Sequence, residues 1–329
     1  MVRIGLLSCA HPAAEAYAEC LRRLPETKLA GIADDNPERG RAAAARHGTR
    51  YLSSEQLLSE EVDAVIVCAE NARRPEGVRA AAAAGKPILC QQPLATNLPA
   101  ARETIRFCRE KGVTLATAFA CRYLPAFARL KQSCEAGELG QILAARGTSR
   151  GMMPDGWLVD KELAGGGAVM EQAAPAVDLI RWLLGCEFVS VYAETGRLLH
   201  SENGIEDCAS LILEMENGAI ACLDPSWSRP RSYPFRRDLT VELVGTLGAA
   251  LVDGFRQTIQ LYRAQEEPPA WHYWGSDATE LLLRDFAAAV HAGGPPPITG
   301  EAGLRALEVA VAAYRSAETG APVRLADLR

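Results

Sequence analysis

Between residues 2 and 119 short, uninterrupted apolar runs alternate with stretches whose apolar residues recur at helical spacing. "VRIGLLS" (2 to 8) reads as a buried strand; Ala13, Tyr17, Cys20, Leu21 and Leu24 then fall on one helical face, and "KLAGIAD" (28 to 34) is a second strand. The pattern continues with a helix from Pro37 to His47, "DAVIVCA" (63 to 69), an alanine-rich helix ending at "AGK" (84 to 86), "PILCQ" (87 to 91), a helix to Lys111, and "VTLATAF" (113 to 119). Strands that are apolar throughout, rather than alternating, are covered on both faces. With helices between them they predict a doubly wound, parallel, Rossmann-type sheet.

After residue 120 the pattern changes. A helix over about 124 to 136 leads to "GQILAARGTSRG", and a second helical stretch runs from Gly167 to Leu184. From Cys186 onward strands follow one another with period-two alternation: "LTVELV" (239 to 244) puts Leu239, Val241 and Leu243 on one face, and "ENG" (216 to 218) supplies a hairpin turn. Helices return at 276 to 291 and 301 to 318, separated by "GGPPPITG". The expected organisation is a dinucleotide-binding domain over 1–120 and an α+β domain over 121–329, with an open, mainly antiparallel sheet and the two C-terminal helices.

Composition narrows the function. At 48% hydrophobic and 23% charged, with no unbroken apolar run long enough to span a bilayer, the chain reads as globular, without a membrane partner. A net charge of −6, with basic residues scattered, leaves no electrostatic footprint for nucleic acid and favours a small-molecule partner. The first strand begins at Val2 with no secretory pattern before it, so a cytoplasmic location is expected. The ten cysteines sit in apolar runs without CxxC spacing, which suits reduced, small hydrophobic side chains and no metal site. The 35 basic residues include only five lysines, Lys28, Lys86, Lys111, Lys131 and Lys161, and there are five histidines, His11, His47, His200, His272 and His291. Any chemistry needing either residue type must choose from these.

A dinucleotide needs a glycine-rich turn after the first strand, so that backbone amides and a helix N-terminus approach the pyrophosphate. Here the turn is Ser8, Cys9, Ala10, His11, Pro12, Ala13, without glycine at Ser8 or Ala10. Asp34 ends the second strand, where a carboxylate accepts both ribose hydroxyls and repels a 2′-phosphate, so NAD is expected ahead of NADP. The alternative is that Asp34 or Asp35 caps the helix starting at Pro37.

"RIGLLSCAHPAAEAYAECLRRLP", "AGIADDNPERG", "VDAVIVCAENARRPEGVRAAAAAGKPILCQQPLATNL", "AGELGQILAARG", "AGGGAVMEQAAPAVDLIRWLLG" and "EAGLRALEVAVAAYRSAETGAPV" together resemble the glucose-fructose oxidoreductase, inositol dehydrogenase and rhizopine-catabolism (Gfo/Idh/MocA) family. The resemblance spans nearly the whole chain. It implies an N-terminal Rossmann domain, a C-terminal α+β domain, hydride transfer between NAD(P) and a sugar, polyol or related hydroxy compound, and a homodimer or homotetramer built on the outer face of the C-terminal sheet.

The resemblance also locates the chemistry, and there the chain departs from the family. The family's Glu-Lys-Pro, whose lysine contacts the nicotinamide ribose and the substrate hydroxyl, is Gln91, Gln92, Pro93. The aspartate and histidine four residues apart on the helix after the triple glycine are Glu171 and Pro175, and the histidine that often follows the asparagine matching Asn71 is Arg74. Glutamine can hold a hydroxyl but cannot take up a proton. Pro175, lacking an N–H, predicts a kink or early break in that helix. Of the lysines, Lys161 alone is placed to approach the site.

The candidates that result are Glu171, Tyr123 and Gln92 for catalysis, and Ser8, Ala10, His11, Asp34, Asn71, Gln91 and Gln92 for the cofactor. For substrate they are Arg122, Arg150, Trp157, Asp178, Trp227 and Arg229, with Glu171 and Asp178 on one helical face, Arg122 binding an anion or pairing with Glu171, and Arg150, Trp157, Trp227 and Arg229 lining one pocket. The expected function is NAD-dependent hydride transfer without the usual lysine and histidine. The alternative is a catalytically silent homologue that binds a ligand or regulates.

Overall fold

A computed structural model of the chain describes residues 1–59, 62–261 and 270–328. The chain forms two compact units. The first comprises Met1–Ala120, Glu162–Gly165 and Ala278–Leu307; the second comprises Cys121–Lys161, Gly166–Asp277 and Glu308–Arg329.

The N-terminal part of the first unit runs β1 (Val2–Leu7), α1 (Ala13–Arg23), β2 (Thr27–Ala33), α2 (Pro37–His47), β3 (Tyr51–Leu52), α3 (Ser54–Ser59), β4 (Ala64–Val67), α4 (Arg74–Ala83), β5 (Ile88–Gln91), α5 (Leu98–Glu110) and β6 (Leu115–Ala118). The six strands are parallel, in the order β3-β2-β1-β4-β5-β6. Ile4, Leu6, Ile32, Ile66, Ile88 and Leu89 have no exposed surface, which is why these strands show no alternation. Helix α2 starts at Asn36, whose Oδ1 accepts from the N–H groups of Glu38 (3.1 Å) and Arg39 (3.0 Å). The cap expected of Asp34 or Asp35 therefore belongs to Asn36, the residue directly before the N1 proline.

The second unit begins with α6 (Pro125–Glu135) and β7 (Ile142–Met152). After the short α7 (Lys161–Ala164) a π-helical turn over Val169–Ala173 leads into α8 (Ala174–Leu184). Strands β8 (Phe188–Gly196), β9 (Cys208–Met215), β10 (Ile220–Arg229), β11 (Arg237–Gly245) and β12 (Ala249–Asp253) follow, then a separate hairpin of β13 (Thr258–Leu261) and β14 (Ala270–Tyr273). Helices α9 (Ala278–Ala292) and α10 (Gly300–Thr319) and strand β15 (Val323–Arg324) complete the chain. The main sheet has the order β12-β11-β7-β10-β9-β8-β15 and is antiparallel except for the β7/β10 pair, which is parallel. Leu239, Val241 and Leu243 are fully buried on one face, and Met215 and Ala219 close the hairpin around Gly218, whose φ of +82° suits glycine.

Two expectations need correcting. The helices placed with the second domain do not all stay there: α9 and the start of α10 fold with the first unit, where Arg284 of α9 reaches Glu26 at 3.1 Å. The helix from Gly167 to Leu184 is not one α-helix. Pro175 offers no N–H to the carbonyl of Glu171, and the chain takes a π turn up to Ala173, placing the proline in the first turn of α8, where no N–H is required. The predicted break at Pro175 thus takes the form of a change of helix type. No helix among the described residues is long and apolar enough to cross a membrane.

Tertiary packing accounts for the glycine run. A Cβ at Gly166 would overlap the Tyr314 hydroxyl, and one at Gly167 would overlap the Glu206 carbonyl. Glu206 Oε1 in turn accepts from the N–H groups of Gly167 (2.8 Å) and Val169 (3.1 Å) and from the Tyr314 hydroxyl (2.6 Å), so a carboxylate closes the N-terminus of the π turn.

Candidate functional site

In the first unit the strand order reverses between β1 and β4, and the loops leaving the C-terminal ends of β1, β2, β4 and β5 collect there. The turn after β1 keeps a left-handed first residue, Ser8 at φ +68°, although it is not glycine. Ser8 Oγ accepts from Ala10 N–H at 3.1 Å, a local bond that helps a serine hold this conformation. The N–H of His11 donates to the Cys68 carbonyl (2.9 Å), and His11 Nδ1 accepts from Ala13 N–H (3.1 Å), so the imidazole caps α1 in place of a polar N-cap, the residue at that position being Pro12. His11 and Ala10 are therefore parts of the turn's own hydrogen bonding.

Asp34 is the electrostatic centre of this region. Its side chain has no exposed surface. Oδ2 accepts from Cys9 N–H (2.6 Å) and Arg39 Nε (2.9 Å), and Oδ1 accepts from Asn36 N–H (2.8 Å) and Arg39 Nη2 (2.7 Å). Burial opposes the charge, but these donors outweigh it and hold the carboxyl below its usual range. A carboxylate has about four acceptor sites, and here all four are filled. Next to it lies a cavity of about 620 Å³, where Arg39 and Arg73 face Asp35 and Glu70.

The loops after β4 and β5 carry the amides. Asn71 Nδ2 donates to the Ala164 carbonyl at 2.8 Å and Ala72 N–H to that of Leu163, which pins the 162–165 segment to the first unit. Asn71 Oδ1 and Gln92 Oε1 are both buried, and neither has a hydrogen-bond partner among the described residues. Gln91 differs: its Oε1 accepts from the Tyr17 hydroxyl at 2.6 Å and ties β5 to α1, so that oxygen belongs to the core rather than to a cofactor. Arg74 is fully buried and donates to the carbonyls of Ala69 (3.0 Å) and Pro93 (2.8 Å), stitching the two loops together.

In the second unit Glu171 lies half-buried in the π turn and Tyr123 half-buried at the end of a 3₁₀ turn, Ala120–Tyr123. Asp178 does not accompany Glu171. It is fully buried and takes Arg122 in a bidentate pair (2.7 and 2.6 Å), while the guanidinium packs over Trp182 at 5.7 Å. Burial raises the Asp178 carboxyl above its usual range, although Arg122 opposes the rise. Arg122 therefore pairs with Asp178, not with Glu171 or a ligand anion. Lys161 is exposed at the start of α7.

The four residues expected in one pocket separate. Trp227 is 1% exposed, in a core cluster with Ala168 and Ile205, and Trp157 sits half-buried in the 3₁₀ turn Gly156–Val159. Arg150 and Arg229 instead line a cavity on the second unit's sheet. Strand alternation gives the reason: Gly147 and Leu223 face α8, so Arg146, Thr148 and Arg150 point to the other face. The sequence reading also missed Arg39, Tyr17, Glu206 and Tyr314. Arg39 alone left a local signal, a cation five residues after the strand-ending acid on the first turn of a helix.

A parallel sheet with this reversal, an acid ending β2 and buried amides at the β4 and β5 crossovers defines the class of dinucleotide-linked oxidoreductases. Residues 4–119 match the model of an oxidoreductase family with an NAD-binding Rossmann fold, and residues 127–251 match the GFO/IDH/MocA C-terminal domain. The chain is similar to myo-inositol 2-dehydrogenase of Thermotoga maritima (28% identical, over 99% of both chains) and to D-xylose 1-dehydrogenase (NADP(+)) 2 of Haloferax volcanii (31%, over 91% of this chain and 93% of that one). It superposes on the crystal structure of GenD2 from gentamicin A biosynthesis in complex with NAD, with a TM-score of 0.88, 27% identity, and 98% and 96% of the two chains covered. The protein belongs to the Gfo/Idh/MocA oxidoreductase family.

Proposed function

We propose that the protein is an NAD-dependent oxidoreductase acting on a hydroxyl or carbonyl of a sugar or polyol. The observation that supports this most directly is the pair of buried, unpartnered amide oxygens, Asn71 Oδ1 and Gln92 Oε1, on adjacent crossovers of the parallel sheet. A buried acceptor without a donor costs about 1–3 kcal/mol, so two at one edge fit a ligand that brings O–H or N–H groups. Asn71 and Gln92 would hold the nicotinamide end of NAD, the Ser8–His11 turn its pyrophosphate and Asp34 its adenosine ribose. NAD, when bound, takes up or returns the hydride. With glutamine at position 92, the substrate proton passes to Glu171 or Tyr123, the titratable groups on the 3₁₀ and π turns. Relatives named for myo-inositol and D-xylose support the substrate class, and Asp34 supports NAD over NADP.

Copies of the chain associate through the outer face of the main sheet, where Ile212 (51% exposed) and Ile220 (52%) lie on β9 and β10. Ten cysteines without a disulfide suit the reducing cytoplasm.

Thermal denaturation with NAD, NADH, NADP and NADPH tests the proposal, since ligand at 100 times its Kd stabilises by about 2.7 kcal/mol. A shift with NAD or NADH is expected. No shift with any of the four favours the second reading, a non-redox ligand-binding homologue, for which the internally bonded N–H groups of Cys9, Ala10 and His11 speak. If NADH binds, Gln92→Lys with Pro175→His should raise turnover on polyols, provided the altered site is a decayed conventional one.

A further inference from the structure

We infer that Glu70 reads the amino group of an adenine base, with Arg73 lying on the face of the same ring, in the cavity of about 620 Å³ between the loops that follow β2 and β4. This rests on the proposed nucleotide site of the first unit and assigns the residue that selects its base. The two loops flank β1, where the strand order reverses. A tight turn precedes α4: the Glu70 carbonyl accepts from the N–H groups of Arg73 (2.9 Å) and Arg74 (3.1 Å), which fixes the backbone of Glu70 and Arg73, and both of these line the cavity.

The Glu70 side chain is 7% exposed, and its Oε2 is buried with no hydrogen bond among the described residues. The cations beside it, Arg39 Nη1 at 3.8 Å from Oε1 and Arg73 Nη1 at 3.9 Å from Oε2, lie within ion-pair range but beyond hydrogen-bond range. Their charge offsets that of the carboxylate while the Oε2 lone pairs stay unfilled. A buried acceptor in that state favours a ligand that brings an N–H or O–H. Arg73 is placed differently. Its side chain is half-exposed, and Nη1 crosses the cavity to Asp35, on the loop after β2. A guanidinium has a flat face that stacks on an aromatic ring, and a bond to a half-exposed carboxylate is readily released.

The balance of charge narrows the ligand. Arg39, Arg41 and Arg73 line the cavity together with Asp35, Glu38 and Glu70, so a bare anion or a bare cation would meet like charge. A planar, neutral base avoids both. Adenine offers an amino group for Glu70 to accept from and a π face for Arg73. Hypoxanthine and guanine carry a carbonyl oxygen at the same ring position, which a carboxylate repels.

The test is calorimetric titration of the full chain with ADP and with IDP, whose bases differ in that the amino group of one is a carbonyl in the other. ADP should bind at least tenfold tighter, as expected for one hydrogen bond to a charged group. Glu70→Gln, whose amide can present either an oxygen or an N–H, should bring the ratio below about threefold. Arg73→Ala should weaken both nucleotides by about the same factor and keep the ratio. Equal affinity of the wild type for ADP and IDP overturns the inference, as does absence of ADP binding. Equal loss of both nucleotides in Glu70→Gln overturns it in favour of a ribose or structural contact, and unchanged affinities in Arg73→Ala overturn the stacking. Should Glu70→Gln not fold, the wild-type ratio still decides. Neither probe carries nicotinamide: selectivity for ADP without binding of NADH removes the oxidoreductase reading and leaves this assignment, whereas NADH binding with ADP and IDP alike removes this assignment and leaves that reading.

Discussion

Replacing Arg39 with alanine should change which nucleotide the first unit prefers. Arg39 fills two of the four acceptor sites of Asp34, through Nε at 2.9 Å and Nη2 at 2.7 Å, and it also reaches Asp35 at 3.0 Å. For Asp34 to accept the ribose diol of NAD, these bonds must be released first. A hydrogen bond to a charged group is worth roughly 1.5–3 kcal/mol net, but the arginine side chain is 32% exposed and water recovers part of that. A net release cost of about 1 kcal/mol is reasonable, so Arg39→Ala should tighten NADH binding about fivefold. NADPH should move the other way, because the variant removes the nearest cation from a buried carboxylate that repels the 2′-phosphate. The NADH/NADPH affinity ratio should rise by at least tenfold, measured by fluorescence titration of both nucleotides at one fixed salt concentration. If both affinities change by the same factor, or the ratio falls, Asp34 is not the residue that reads the ribose.

Asp178→Ala leaves Arg122, only 15% exposed, buried without its partner; a loss of about 3–5 kcal/mol is expected in urea unfolding, and an unchanged midpoint would show that the pair is solvated. Gly167→Ala should lower the melting temperature sharply or prevent folding, because its Cβ meets the Glu206 carbonyl, whereas Gly185→Ala, with open space around it, should cost only its left-handed backbone. Asp207 accepts from the N–H groups of Leu198 (3.0 Å), Leu199 (2.8 Å) and His200 (2.5 Å). Burial opposes its charge, but these bonds keep its carboxyl below the ordinary 3.8. Its stabilising contribution is therefore complete above pH 3.8 and disappears as pH falls through the folded-state value, so Asp207→Asn should flatten the acid limb of the stability curve. Burial pushes the Cys90 thiol up to about 12; alkylation of the native protein followed by mass spectrometry should spare Cys90 and label it only after unfolding.

Much of the first unit was legible because its signals are local. Strands buried on both faces need continuous apolar runs, and helices between them need one apolar stripe, so the pattern from Val2 to Ala118 shows five strands and the four helices between them; β3 and α3, two and six residues long, are too short to leave such a pattern and were missed. Pro175 carried its consequence in its missing N–H, although the π turn that accommodates it depends on what packs around Val169 to Ala173. The grouping of Arg150, Trp157, Trp227 and Arg229 went wrong because regular alternation would put Trp227 and Arg229 on one face, whereas the ladder is irregular between Ser226 and Arg229, so Trp227 is core while Arg229 lines a cavity. Arg122 was ambiguous for a different reason. Its partner is 56 residues away, and no local rule chooses between Glu171 and Asp178.

What the sequence determined by itself is the two-part architecture, the parallel sheet and the family. Those follow from periodicity and from residue identity, which need no third dimension. Tertiary structure alone decided that Asp34 is held by Arg39, that Gln91 is bonded into the core while Gln92 is left with an open acceptor, and that Arg150 and Arg229 belong to a separate cavity. Hydrogen-bond capacity is finite, and whether a polar group is available to a ligand depends on which distant donors and acceptors folding brings to it first.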